Sequence, residues 1–320
     1  MRILVDITRA APDNIRCARV REGLRMAYLA YALYQLHNDV CIVGNYEPPF
    51  RDDPRFSRGC FLTQSMTTSA HGKYDLTIVA ERHDIDSLEH KTDAVMMVKT
   101  SNSTDAEYDA RLINRTDGLI CFSYHHRYAG HPKLIAVPHG VHDRVGKQLY
   151  RDGMLKAYLH DDLDTVRQWY ETDDREGICW IGNSAYGRCN YWHLFHESLM
   201  QTGKAVRCDV EWTQSVPPGE YLRRLARAEY GLCLPGHIPP SYRFSECVLM
   251  GCVPIVNLWD CPYSEPITKD NAVIVDDWVA ASALVGAGER LHELRAGMDE
   301  SYCRGWSPLG QARQVLARLS

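Results

Sequence analysis

A chain of 320 residues, 45% hydrophobic and 24% charged, has the make-up of an ordinary folded protein and the length for two cores. Its formal net charge of -5 gives no global attraction to nucleic acid or to an anionic membrane, although a local basic patch survives such a sum. Asp6 interrupts the apolar start Ile3–Ile7, so no export signal is expected, and the longest apolar stretch, 24–36, carries Arg25 and Gln35 and is too short to span a bilayer.

The first half reads as a βα array. Short apolar runs recur at 3–7, 40–43, 76–80, 94–98, 119–122 and 134–137, without alternation, as strands buried on both faces do. Residues 15–36 have helical apolar spacing and supply the first crossover. From 144 to 175 the chain turns acidic and helical, a connector anchored on Trp169 and Tyr170. The rhythm then restarts with strands expected at 178–181, 206–210, 230–234, 253–256 and 272–275, and helices at 191–201, 218–228 and 243–250. Strands alternating with helices imply parallel, doubly wound sheets. The expected organisation is therefore α/β, with two Rossmann-like lobes at 1–172 and 173–320 and ligands held at the carboxyl ends of the strands.

The twelve cysteines are scattered, and Cys41, Cys121, Cys179, Cys233 and Cys252 sit inside apolar runs. No CxxC pair occurs, so reduced thiols in a cytoplasmic protein are expected, without a structural zinc. His193 and His196 share a helical face but lack a third ligand, and His125, His126 and His131 have no carboxylate cluster beside them. No bound metal and no cofactor is expected.

The chemistry concentrates in 230–256, which reads as strand, Pro-Gly loop, helix, tight turn and strand. Pro235 and Gly236 end the strand and let the backbone approach a ligand. Tyr242 opens the helix, and Arg243 and Glu246, three residues apart, share one face near its start. A cation and a carboxylate there suit a nucleoside diphosphate: the guanidinium forks onto phosphate oxygens and the carboxylate accepts from paired hydroxyls. Gly251 is placed to end the helix in left-handed geometry. Upstream, Gly182, Asn183 and Arg188 lie in a strand-loop-helix element of the kind that cradles anions.

The Arg243-x-x-Glu246 helix followed by Gly251-Cys-Val-Pro-Ile-Val256 resembles the donor-binding segment of GT-B glycosyltransferases. It is similar to the exostosin-like form and to the bacteriophage DNA β-glucosyltransferases. The resemblance implies a transferase that moves a sugar from a nucleoside-diphosphate sugar, a UDP-sugar above all, to a saccharide hydroxyl. It also implies that Arg243 and Arg188 contact the diphosphate and Glu246 the ribose. The catalytic Asp of the phage enzymes has its local match at Ser101, so the general base is sought among Glu81, His83, Asp84, Asp13 and Asp105. The stretch Pro138-His139-Gly140-Val141 resembles the Pro-Asn-Gly-Val turn of many GT-B enzymes. Arg9, Arg16, Arg19 and Arg21 form a basic run, and the first three are candidates to bind an anionic acceptor.

Two other functions compete. A DNA glycosyltransferase acting on a hydroxymethylated base would need that base flipped out of the duplex. A nucleotide- or sugar-binding Rossmann module without turnover is the reading from another class. The loop after Ile7 has no G-x-G-x-x-G, which argues against a dinucleotide.

Overall fold

A computed structural model describes residues 1–7, 19–43, 73–80, 92–99, 106–121, 131–137, 139–170, 175–213, 215–235, 241–257, 265–275, 278 and 282–319. It divides into two compact units, Met1–Val137 with Ser307–Ser320, and Pro138–Trp306.

In the first unit β1 (Arg2–Asp6), β2 (Asp39–Val43), β3 (Tyr74–Ala80), β4 (Thr92–Lys99), β5 (Gly118–Cys121) and β6 (Leu134–Ala136) form one sheet in the order β2-β1-β3-β4-β5-β6. Every described pair is parallel, with Ile3 facing Val40 on one side and Leu76 on the other. Helices α1 (Arg19–Gln35) and α2 (Ala106–Arg115) cross between strands. The unbroken apolar strands reflect burial on both faces: Ile3, Leu4 and Val5 are all 0% exposed. Leu29 and Leu33 of α1 complete that core.

The second unit opens with the connector, α3 (Asp143–Arg151), α4 (Leu155–Leu159) and α5 (Leu163–Tyr170). A second parallel sheet follows, from β7 (Ile178–Ile181), β8 (Cys208–Glu211), β9 (Tyr230–Leu232), β10 (Val253–Val256) and β11 (Val273–Ile274), in the order β11-β10-β9-β7-β8. Its helices are α6 (Arg188–Gln201), α7 (Pro218–Ala226), α8 (Tyr242–Leu249), α9 (Ser282–Glu289) and α10 (Leu291–Ser301), and it ends on a π-helical turn, Tyr302–Trp306. Helix α11 (Pro308–Ala317) returns to the first unit, where Leu309, Ala312 and Val315 join the core of α1 and the first sheet.

Two details differ from the sequence reading. The units divide at Val137/Pro138, so the connector belongs with the second unit and the last helix with the first. Of the two anchors expected in the connector, Tyr170 is buried, with its hydroxyl donating to Asp152, whereas Trp169 is 53% exposed. Neighbouring residues on a helix point about 100° apart, so one apolar stripe does not readily bury both.

The cysteines resolved in these segments are free thiols, and four of them (Cys179, Cys233, Cys247 and Cys252) are buried in the second unit. No helix among the described residues is long and apolar enough to cross a membrane.

Candidate functional site

Helix α8 is held at both ends. Its last carbonyls are met by arginines from outside the helix. Arg167 Nη2 donates to Val248 O (2.8 Å) and Nε to Leu249 O (3.3 Å), while Arg175 Nη1 donates to Met250 O (2.8 Å). Arg167 is itself fixed by a forked pair to Asp299 (2.7 and 2.6 Å). Gly251 takes φ +70°, and a Cβ there would stand 3.1 Å from both Arg167 Nε and Arg175 Nη2. Glycine is thus required twice, by conformation and by space.

The start of α8 carries the site. Arg243 is 9% exposed and its guanidinium lies between two aromatic rings, 4.8 Å from the centroid of Trp180 and 4.7 Å from that of Tyr221. One nitrogen, Nη2, donates to the carbonyl of Ile181, and Nη1 is buried with no partner. Burial presses the pKa of this group down, but Tyr221, Glu246 and nearby thiols more than offset that, and the cation stands. Desolvating a cation costs several kcal/mol, and each ring face returns about 2 kcal/mol or more when desolvated. Nη1 nonetheless lacks a hydrogen-bond acceptor, which an anion there would supply.

Glu246, 5% exposed, is already engaged on both oxygens. Oε1 accepts from the amide of His142 (3.1 Å) and Oε2 from the hydroxyl of Tyr221. Burial holds the Tyr221 phenol well above its ordinary value, so at neutral pH it is a proton donor. Tyr242 lies against His139 (ring centroids 4.9 Å apart) and edge-on to His142 (5.1 Å), and Ser245 donates to the carbonyl of His139. His139, in the segment expected as a Pro-Asn-Gly-Val-like turn, is therefore tied to α8 through Tyr242 and Ser245, and His142 just after it through Glu246.

A second cation also lies against Trp180. Arg188 is 5.6 Å from the Trp180 ring and 5.1 Å from that of Tyr186, donates Nε to Pro235 O (2.9 Å) and Nη1 to Asn183 Oδ1. Burial, and after it the charge of Arg243, lower its pKa. Tyr186 (φ 63°) and Gly187 (φ 71°) turn the chain into α6, which no side chain caps. A Cβ on Gly182 would meet the Trp180 ring at 2.9 Å, so glycine lets the loop lie on the indole. Arg144 stacks on Tyr221 as well, at 5.5 Å. The side chains form a row: Tyr186, Arg188, Trp180, Arg243, Tyr221, Arg144.

Of the residues singled out from sequence, Gly182, Asn183, Arg188, Pro235, Arg243 and Glu246 are assembled around Trp180 and Tyr221, with Tyr242 at the histidine turn. Gly236, Glu81, His83, Asp84, Asp13, Asp105, Arg9 and Arg16 lie outside the described residues, and of Arg19 only the backbone, at the start of α1, is described. Sequence reasoning missed Trp180, Tyr221 and Arg144. Trp180 reads as one more apolar strand residue and Tyr221 as a core aromatic of an amphipathic helix. Only their pairing with arginines distant in sequence reveals the role. Among the described residues no group of three or more His, Cys, Asp or Glu side chains is arranged to hold a metal.

No family model matches the chain, and no curated protein matches it. Among solved structures it is similar to a glycosyltransferase from Rickettsia africae (TM-score 0.55, 10% identity, covering 99% of this chain and 97% of that one). It is also similar to an alpha-glucosyltransferase in complex with UDP (TM-score 0.52, 12% identity, covering 100% of both chains). A third is AviGT4, a glycosyltransferase involved in avilamycin A biosynthesis (TM-score 0.50, 12% identity, covering 99% and 96%). The fold is GT-B. In the GT-B frame the row of guanidinium and aromatic groups gathers where β7 and β9 end: Trp180 belongs to β7, and Pro235 follows β9. Ligands of open parallel sheets bind at such strand ends.

Proposed function

We propose that the chain is a glycosyltransferase that takes a sugar from a nucleoside-diphosphate sugar, a UDP-sugar foremost, and passes it to a saccharide hydroxyl. The observation that carries this reading is Arg243: a buried cation, fixed between two rings, with one nitrogen left without an acceptor. A diphosphate meets that need, and Arg188, against the same Trp180 ring, adds a second positive charge. During transfer the acceptor oxygen bonds to the anomeric carbon, the bond from that carbon to the diphosphate breaks, and its electron pair leaves with the phosphate. Fixed cations stabilise this developing charge without reorganising. The acceptor proton goes to a base, sought among Asp13, Glu81, His83, Asp84 and Asp105. Arg9, Arg16 and Arg19 are the candidates for an anionic acceptor, and the cytoplasm is the proposed location.

The test is calorimetric titration of UDP into the parent and into Arg243→Ala. Loss of a charge-assisted contact should weaken binding by about 1.5–3 kcal/mol, roughly ten- to a hundredfold. Equal affinity in the two proteins would sink the assignment. Slow hydrolysis of the UDP-sugar by the parent distinguishes an enzyme from a binding module.

DNA carrying a hydroxymethylated base is the second acceptor reading. It is favoured by similarity to an alpha-glucosyltransferase in complex with UDP and a 13-mer DNA containing an HMU base (TM-score 0.50, 11% identity). Duplex binding that falls steeply with salt supports it, and no binding at low salt excludes it.

A further inference from the structure

Among the described residues three side chains other than glycine hold φ in the left-handed region: His37, Asp161 and Tyr186. His37 and Asp161 come just after the ends of α1 and α4, where left-handed backbone is an ordinary way for a helix to stop. Tyr186 has no such reason. It lies before α6 rather than after a helix, and Gly187 next to it is left-handed as well (φ 63° and 71°). For a bulky side chain this backbone is costly, and glycine or asparagine would adopt it more readily. The turn nevertheless carries a tyrosine, 47% exposed, with its ring 5.1 Å from the guanidinium of Arg188. Strained backbone persists where its surroundings hold it, and it gathers at ligand sites.

We propose that Tyr186 is a specificity-determining residue whose ring stacks on the sugar of the bound nucleotide sugar. The proposal rests on the function proposed above, in which Arg188 and Arg243 hold the diphosphate. The sugar is bonded directly to that diphosphate. A phosphate at Arg188 therefore brings the sugar beside a ring that touches the same guanidinium. Exposure points the same way. Trp180, Arg243 and Tyr221, further along the row, are buried, whereas Tyr186 stands open to solvent. A nucleotide can be enclosed during transfer, but its sugar has to be met by an acceptor, so the sugar belongs at the open end. The chemistry fits as well. One face of a hexose presents C–H groups, whose slightly positive hydrogens suit the negative face of an aromatic ring.

The experiment titrates UDP, UDP-glucose, UDP-galactose and UDP-N-acetylglucosamine calorimetrically into the full chain and into Tyr186→Gly and Tyr186→Phe. Glycine takes the left-handed backbone without strain, so Tyr186→Gly should fold. Its UDP affinity falls somewhat, because Arg188 loses one of its two rings. At least one of the three UDP-sugars should weaken about fivefold beyond the loss for UDP, the size of one aromatic contact. Tyr186→Phe keeps the ring and should bind all four ligands as the parent does. Equal losses for UDP and for every UDP-sugar in Tyr186→Gly overturn the proposal, since the ring then serves only Arg188 or the nucleoside. A Tyr186→Phe that binds like Tyr186→Gly overturns it too, because the hydroxyl and not the ring is then what matters. Failure of the donor reading is visible separately: the parent then binds none of the four ligands, or Arg243→Ala binds UDP as the parent does, and the proposal falls with it.

Discussion

Tyr221→Phe removes one oxygen and keeps the ring against which Arg243 stacks. Tyr221 is 0% exposed and Glu246 5% exposed, so the carboxylate oxygen left behind has no route to bulk water. A hydrogen bond from a neutral donor to a buried carboxylate is worth about 1.5–3 kcal/mol, and that loss should appear in full as reduced stability. Deleting the ring as well, with Tyr221→Ala, adds a core cavity costing about 3–5 kcal/mol and the cation contact of about 2 kcal/mol. The two variants therefore separate by several kcal/mol, which urea unfolding resolves easily. UDP affinity should fall about tenfold in Tyr221→Phe, because a Glu246 with one free oxygen no longer fixes the start of α8. A stability change below about 0.5 kcal/mol in Tyr221→Phe would refute the reasoning, since it would mean the carboxylate never relied on that hydroxyl.

Glu246→Gln replaces one accepting oxygen by an NH2 group, so that the Tyr221 hydroxyl loses its carboxylate acceptor, and should cost about 1–3 kcal/mol in unfolding experiments. If it weakens UDP and pyrophosphate by the same factor, Glu246 serves the fold of the site; a larger loss for UDP marks a contact to the ribose. Gly251→Ala should destabilise by about 1–2 kcal/mol through its left-handed backbone alone, and an unchanged urea midpoint would contradict the crowding by Arg167 and Arg175. The proposed transferase activity should survive EDTA if Arg243 and Arg188 supply the charge that a divalent ion would; loss restored by magnesium overturns this. Burial and then Glu229 raise the Tyr230 phenol to about 12, above its unfolded value near 10. The unfolded state therefore releases this proton first, and stability falls as pH rises from about 10 to 12; Tyr230→Phe should flatten that limb of the alkaline unfolding curve.

Much of the fold was legible because burial on both faces leaves unbroken apolar runs, and the runs at 178–181 and 253–256 became β7 and β10 residue for residue. Arg243 and Glu246 were legible as a pair because helical spacing puts residues three apart on one side. What they face was not. That Glu246 meets His142 and Tyr221 depends on contacts spanning 104 and 25 positions, which no local pattern encodes. The division at Val137/Pro138 was likewise hidden: α3, α4 and α5 look like an independent connector, and Arg144, stacked on Tyr221, and Arg167, reaching Asp299 and the end of α8, show which core they serve.

Helix α11 carries Leu309, Ala312 and Val315 into a core whose other members come from β1 to β6 and α1. The chain leaves that core at Val137 and completes it only after Ser307. During synthesis, therefore, the amino-terminal sheet waits with an apolar flank uncovered until the residues after Ser307 are made. The Pro138–Trp306 unit, continuous in sequence, has no such delay. The order of maturation is thus the reverse of the order of translation, and a nonsense change that removes α11 damages the unit that was made first.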